Sequence, residues 1–449
     1  MTTIDRSRIK TLMEREEKHY VTERPKSKVL FEKANASLLG GVPLMRMSRW
    51  AGPFPLFAKE AKGAYLTDVD GHRYLDLCLA DSGAMLGHSP TAIVDAVTDQ
   101  VGRGTTLMLP TEDSIWVGEE LTHRFHVPYW QIYLTATDAN RFAIKTAREL
   151  TKRQLILVFN GCYHGGVDEA MVELRNSIVC HRSGSLGPLP NPESMSRVIE
   201  FNDPDALEAG LSSQDIACVL CEPVMTNEGI IYPNPGYHAV LREMTRRFGT
   251  LLILDETHTI CTGPAGLTGA WNLEPDIFTL GKPIGGGVPA AVIGFSQAVA
   301  EGFMRRWQEE GPFLALGTTL SCNALEVAAI RATLENVMTK SVYERTIPLA
   351  ERLAEGIEAV IRAADLPWHV VRLGCRVEYR FHPTPFRNGA EAKAAIDTEL
   401  DRFIHLFLIN RGILLSPFHN MALVPPEATA EDIDFHNRVF RECVNEMVG

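Results

Sequence analysis

Leu251-Leu252-Ile253-Leu254-Asp255-Glu256 is a short apolar run that stops at two acids, and Gly281-Lys282-Pro283-Ile284-Gly285-Gly286-Gly287 sets a lysine at the head of a glycine-rich turn. The first stretch reads as a buried strand, and the second follows directly on the strand-like Ile277-Phe278-Thr279-Leu280. Together they offer one buried carboxylate and one amine. Those are the groups that hold and activate an aldehyde cofactor with a basic ring nitrogen: the lysine forms a Schiff base, and the aspartate keeps the ring nitrogen protonated. The cofactor this pairing indicates is pyridoxal phosphate.

Outward from these two stretches, short β-rich runs alternate with longer amphipathic ones. Gln131-Ile132-Tyr133-Leu134 leads into a helical pattern from Ala139 to Thr151, Leu155 to Phe159 stops at Asn160-Gly161, and Ile216 to Cys221 stops at Glu222-Pro223. A helical pattern from Gly236 to Phe248 then precedes Leu251. This is the βαβ rhythm of an α/β fold, a mostly parallel sheet covered by helices on both faces. Ligands gather at the carboxyl ends of the strands in such sheets, so Thr137, Tyr163, Glu222 and Asp255 are expected to converge. The flanks differ: a hairpin-like stretch from Phe57 to Tyr74 turns at Asp68-Val69-Asp70-Gly71-His72, and beyond Asn323 long helices (323–339, 342–363 and 390–410) surround short strands near 370–381. The expectation is a large domain over residues 76–322 and a smaller α+β domain made from 1–75 and 323–449.

Lys282 carries the chemistry most directly. A lysine at a strand end against close-packed glycines is partly desolvated, which lowers its pKa toward a reactive range. Asp255 would make the cofactor ring an electron sink by keeping its nitrogen charged. Thr135-Ala136-Thr137-Asp138-Ala139-Asn140 stands at a strand-to-helix junction. There small residues, backbone N–H groups and the Thr137 hydroxyl can approach a phosphate. Taken alone, a helix N-cap explains that segment equally well; beside Lys282 and Asp255, phosphate binding is the preferred reading. Tyr163 could stack on the cofactor ring, with His164 beside it as a structural residue. Gly317-Thr318-Thr319-Leu320-Ser321-Cys322-Asn323 opens a helix as a second hydroxyl-rich anion site, serving either its own chain or a neighbour.

A formal charge of −12 argues against nucleic acid or an anionic membrane as partner. The first twenty residues alternate charged and apolar positions without the core of a secretory signal or membrane anchor, so the expected compartment is the cytoplasm. Nine scattered cysteines fit reduced thiols. Cys218-Val219-Leu220-Cys221 spells C-x-x-C, but it lies inside a buried strand pattern with no second pair at ligand spacing, which disfavours a redox or zinc site.

These motifs, in this order, resemble the class III aminotransferases among the fold-type I pyridoxal-phosphate enzymes. The resemblance runs from about Gly40 to Asp434 through Gly87-His88, Tyr163-His164-Gly165, Glu222-Pro223-Val224, Asp255-Glu256, Gly281-Lys282 and Thr319-Leu320-Ser321. Gly40-Gly41-Val42 and the segment 317–323 are most similar to the branch that holds glutamate-1-semialdehyde aminomutases and β-amino-acid or ω-aminotransferases. The resemblance implies a seven-stranded-type sheet and a homodimer with a shared active site. It implies a cofactor set of Ala136, Thr137, Tyr163, Glu222, Asp255, Thr257 and Lys282, with Thr257 on the ring face opposite Tyr163 and Thr319 reaching the phosphate in the neighbouring subunit. Two departures stand out: the phosphate loop of the family usually reads Ser-Gly-Thr-Glu-Ala, and His258 replaces an apolar or small residue, where packing is the preferred reading.

Arg46 aligns with an arginine that binds the substrate carboxylate in this branch, with Arg49 as its competitor and Trp50 close by for an apolar substituent. The expected activity is a transaminase that moves an amino group from an amine or non-α-amino acid to a keto acid such as pyruvate or 2-oxoglutarate. A glutamate-1-semialdehyde-type 2,1-aminomutase is the alternative within the family, and a non-catalytic binding protein is the alternative outside it.

Overall fold

The computed structural model describes residues 2–187, 190–313 and 316–449. The chain forms two compact units, one from Met1–Pro90, Ser341–Pro385 and Ala395–Gly449, the other from Thr91–Lys340 and Phe386–Ala394. The divisions therefore fall after Pro90 and Lys340, where the sequence patterns suggested 75 and 322. Packing explains the C-terminal difference: the helix Ala324–Ala332 buries most of its small apolar residues against the helices Thr91–Arg103 and Glu112–Phe125 of the second unit.

The second unit is built on a seven-stranded sheet. Its strands in chain order are β1 (Tyr129–Tyr133), β2 (Leu155–Phe159), β3 (Ser196–Ile199), β4 (Ile216–Cys221), β5 (Leu251–Asp255), β6 (Ile277–Leu280) and β7 (Ala291–Phe295). They lie in the order β1-β7-β6-β5-β4-β2-β3. The five strands from β6 to β3 are parallel, and only β7 runs against its neighbours β6 and β1. Strands covered on both faces must be apolar nearly throughout, and every residue of β4 and β6 is buried. Cys218 and Cys221 belong to that buried run, and burial pushes both thiols well above the usual range, which leaves them poor nucleophiles and metal ligands.

The helix Ala136–Thr151 follows β1 and turns Ala139, Phe142, Ala143, Ile144 and Ala147 into the interior against β4, β6 and β7. Its start is fixed by Thr135, whose hydroxyl accepts from the Asp138 N–H at 3.1 Å. The register of β5 on β6 places Asp255 opposite Thr279, so the residues after both strands emerge side by side.

In the first unit both chain ends share one sheet. The hairpin Ala58–Lys62 and Tyr65–Asp68 continues into Arg73–Asp76, and Ile413–Leu414 adds in parallel beside that third strand. Asp68 closes the turn by accepting from the N–H groups of Gly71 and His72, each at 2.8 Å. A second sheet, His369–Leu373, Arg376–Arg380 and Met421–Leu423, packs with the helices Thr398–Ile409 and Ala430–Val448 around Leu400, Phe403, Phe407, Phe440 and Val444.

The stretch 390–410 is two helices, Gly389–Ala394 and Thr398–Ile409, with the break capped by Asp397, which accepts from the Leu400 N–H at 3.1 Å. The first of them belongs to the second unit because the backbone meets there without a side chain between. A Cβ on Gly389 would lie 1.9 Å from the Asn160 carbonyl oxygen. Lys393 also pairs with Glu173. No helix among the described residues is long and apolar enough to cross a membrane.

Candidate active site

The parallel strands of the second unit deliver their following loops to one edge of the sheet, and Asp255 is the last residue of β5 there. Its side chain is 4% exposed and fully engaged. One oxygen, Oδ2, lies 2.9 Å from His164 Nδ1 and accepts from Asn140 Nδ2 at 2.8 Å, while Oδ1 accepts from the Thr257 N–H at 3.0 Å. Asn140 is itself fixed by the Thr279 hydroxyl, which donates to its Oδ1 at 2.8 Å. Burial alone would raise the Asp255 pKa, but the hydrogen bond and charge of His164 bring it below the ordinary carboxylate value. Burial correspondingly opposes a charge on His164, and the hydrogen bond to Asp255 overcomes it and raises the imidazole pKa. The pair is thus a buried carboxylate held ionised by an imidazolium.

Glu256, one residue on, points the other way. Its carboxylate accepts from the Thr259 hydroxyl and the Thr268 N–H, so it anchors the short helix Gly266–Ala270. Of the two acids that end the β5 run, only Asp255 faces the His164 loop.

Two loops close on the start of the helix Ala136–Thr151. Gly165 has φ +82°, and a Cβ there would sit 2.2 Å from Thr137 Oγ1, so only glycine lets the 163–166 loop lie this close. The neighbouring Gly166 N–H donates to Thr137 Oγ1 at 3.0 Å. From the other side Gly281 comes so near that an added Cβ would be 2.7 Å from Ala136 Cβ, and its N–H donates to Thr257 Oγ1 at 3.2 Å. The result is a narrow cradle of small residues at a helix N-terminus, an arrangement suited to an anion.

Lys282 follows Gly281 with φ +49°, a left-handed conformation that costs a non-glycine residue on the order of 1 kcal/mol. The half-buried side chain ends with Nζ 2.8 Å from His258 Nε2. Asp255, Thr257, Lys282, Ala136 and Thr137 are therefore brought together, with Tyr163 half-buried in the loop that carries His164.

The other predicted positions lie differently. Glu222 is buried at the end of β4, but its carboxylate accepts from the Thr226 hydroxyl at 2.6 Å and the Thr226 N–H at 3.0 Å, so it holds its own turn. Burial pushes its pKa up to about 7. Thr319 is exposed on a turn fixed by Ser321, whose Oγ accepts from the Thr318 N–H at 3.0 Å.

Arg46 and Trp50 belong to the first unit. Arg46 reaches Asp81 at 3.2 Å, and the guanidinium groups of Arg46 and Arg49 lie 4.4 and 4.6 Å from the Phe418 ring centre. Trp50 packs, partly buried, against a cluster of Tyr20, Phe54 and Tyr74.

Sequence reasoning missed Asn140 and gave His164 only a structural part. The available signal for Asn140 was its place, as an amide, on the apolar face of an otherwise well-packed helix. His258 was assigned to packing, whereas its ring faces the Lys282 amine.

Comparison with known proteins places this geometry in context. The sequence model of the family Aminotransferase class-III matches residues 46–435. A glutamate-1-semialdehyde 2,1-aminomutase of Sorangium cellulosum is 35% identical over 429 residues, covering 94% of this chain and 96% of that protein. The crystal structure of a glutamate-1-semialdehyde-aminomutase from Pseudomonas aeruginosa PAO1 superposes with a TM-score of 0.96 at 47% identity, covering 99% of both chains. A lysine-to-alanine variant of that enzyme in complex with PMP superposes equally well, with a TM-score of 0.96. A β-phenylalanine aminotransferase from Variovorax paradoxus reaches a TM-score of 0.86 at 26% identity over 97% of each chain.

Proposed function

This chain belongs to the class III aminotransferase family, and we propose that it is a pyridoxal-phosphate enzyme of the glutamate-1-semialdehyde 2,1-aminomutase type. The observation that carries the cofactor half of this reading is the buried Asp255–His164 pair, 2.9 Å apart, at the strand edge where Lys282 emerges. A carboxylate kept ionised in an apolar setting fits a protonated ring nitrogen, and the Ala136–Thr137 cradle fits a phosphate. The choice of an aminomutase over the transaminase expected from sequence rests on relatives of 33–47% identity that cover nearly the whole chain.

Bound pyridoxal phosphate would supply an aldehyde for covalent attachment and a ring that takes up the electron pair left when a substrate carbon loses its proton. The chain supplies the rest. Asp255 would hold the ring nitrogen protonated, and Asn140, His164 and the Thr257 N–H keep its carboxylate in place and ionised. Ala136, Thr137, Gly165 and Gly166 would hold the phosphate end, and Tyr163 and Thr257 would pack against the ring. Lys282 would be the covalent attachment point for the aldehyde, and its amine is the group that would take up and return a proton there as general base and acid. Glu222 supports this edge of the sheet by fixing the turn after β4.

Arg46 is the proposed partner for a substrate carboxylate, and the exposed Thr319 is the group offered to a second copy of the chain in a homodimer. Arg46→Ala should raise the KM for carboxylate-bearing substrates about tenfold to a hundredfold, with little change for simple amines. Arg49→Ala, measured alongside, identifies the contacting guanidinium if the two roles are exchanged.

The reading is tested by recording the visible spectrum of the purified chain with pyridoxal phosphate while candidate donors are added singly. Bleaching by an isolated amine with recovery only on adding a keto acid favours the transaminase, the second reading, which the 26% identity to the β-phenylalanine aminotransferase supports. A chain that takes up no pyridoxal phosphate contradicts both.

A further inference from the structure

His258 lies beyond the cofactor set that the family resemblance implies, yet its ring meets the Lys282 amine, Nζ to Nε2 at 2.8 Å. Both partners are held by their backbones. His258 is the N-cap of the short turn Thr259–Thr262, whose first residue is tied to buried Glu256. Lys282 begins the turn Lys282–Gly285 in a left-handed conformation, fixed on one side by the Gly281 N–H on Thr257. The strands that carry them, β5 and β6, are hydrogen-bonded neighbours. The contact therefore joins two constrained positions, and neither is the loose end of a surface side chain.

An ammonium and an imidazolium at this distance would repel strongly in a half-buried site, which favours passing a proton from one nitrogen to the other over charging both. A primary amine must be neutral to attack an aldehyde, and a neighbouring imidazole is the group best suited to accept a proton near neutral pH.

We propose that His258 is the proton acceptor that readies Lys282 for attachment to the cofactor. The Lys282 ammonium passes a proton to His258 Nε2, and the neutral amine then adds to the aldehyde carbon. The new carbon–nitrogen bond replaces the carbonyl oxygen, which leaves as water, and the proton held on the imidazole returns to the nitrogen. Charge, protons and atoms balance without any further reactant. The inference rests on the pyridoxal-phosphate reading above and concerns a step that precedes substrate.

The test is the rate at which the full-length chain, freed of cofactor, develops its visible absorption band on mixing with pyridoxal phosphate. His258→Gln keeps a hydrogen-bonding group but cannot take a proton, and His258→Ala leaves space for free imidazole. Both variants should attach the cofactor about a hundredfold more slowly than the parent. Added imidazole should restore much of the rate to His258→Ala and none to His258→Gln. Equal thermal melting of the three cofactor-free proteins guards against misfolding. Rates equal to the parent in both variants, or a slow His258→Ala that imidazole does not rescue, would overturn the proposal while leaving the cofactor reading intact. A parent chain that develops no band overturns both.

Discussion

Lys282→Ala is expected to abolish turnover, by roughly 10⁴- to 10⁶-fold, and to remove the visible absorption of the covalently held cofactor while leaving the fold unchanged. The size of the effect follows from the two jobs assigned to one amine, since the same nitrogen makes the covalent link and later moves the substrate proton. The described residues that meet at the cradle, Ala136, Thr137, Gly165, Gly166 and Thr257, carry no side-chain amine to replace it. Stability should not suffer, because the left-handed φ of +49° at position 282 is a strain that alanine bears no better and no worse. The variant should still bind the amine form of the cofactor non-covalently. Spectra and melting curves of the two proteins check this together; a variant that retains even 10% of the parent rate rules out Lys282 as the reacting amine.

Asp255→Asn should be the second most damaging change, because it acts on both chemistry and fold. Asparagine preserves shape and can still accept one hydrogen bond, but it removes the charge that would keep the ring nitrogen protonated. Loss of a preorganised electrostatic partner of this kind costs on the order of 10²- to 10³-fold in kcat. The same change leaves His164, which is 1% exposed, without its counter-charge. Breaking a buried ion pair from one side costs about 3–5 kcal/mol.

The pH dependence has a definite sign. The folded-state pKa of Asp255 lies below its usual 3.8, so its stabilisation is fully present above that value and is lost as pH falls through the lower one. His164 runs oppositely: its raised pKa stabilises the fold below the usual 6.5, and that contribution is lost as pH rises through the folded value. Parent and Asp255→Asn should therefore differ most between the two ordinary values, 3.8 and 6.5, where both contributions are present, and converge as pH falls through the lowered Asp255 value. A variant as stable as the parent at pH 7 would mean that the two side chains do not form an ion pair.

The strand ends were legible from sequence because a buried parallel strand is apolar nearly throughout and then stops. Leu251–Asp255 and Ile277–Leu280 announce both their extent and their polar termini, and the glycines around Lys282 mark a close approach. What surrounds Asp255 was far less legible. Its partners His164 and Asn140 are 91 and 115 residues away in sequence, and only the pairing of non-adjacent strands brings them near. His258 sits on a short turn with no periodicity to interpret, so its place opposite Lys282 depends on the β5–β6 register.

The helical pattern from 390 to 410 hid a different limit. Its apolar spacing runs on through Asp397, but the short segment Gly389–Ala394 is held by contacts with Asn160 and Glu173 that no local pattern encodes. Trp50 looked like a pocket aromatic because it neighbours Arg46 in sequence, whereas its ring joins the cluster of Tyr20 and Phe54.

As an aminomutase, the enzyme would move an amino group within one carbon skeleton on a cofactor held by Lys282 and Asp255. This is tested most directly by incubating the chain, loaded with the amine form of the cofactor, with glutamate-1-semialdehyde as the only substrate. Many turnovers are expected to the isomer in which amino and carbonyl groups have exchanged carbons, a redox-neutral change that needs no keto acid. Conversion that stops after a single turnover and resumes only when a keto acid or amine is supplied would contradict the aminomutase reading.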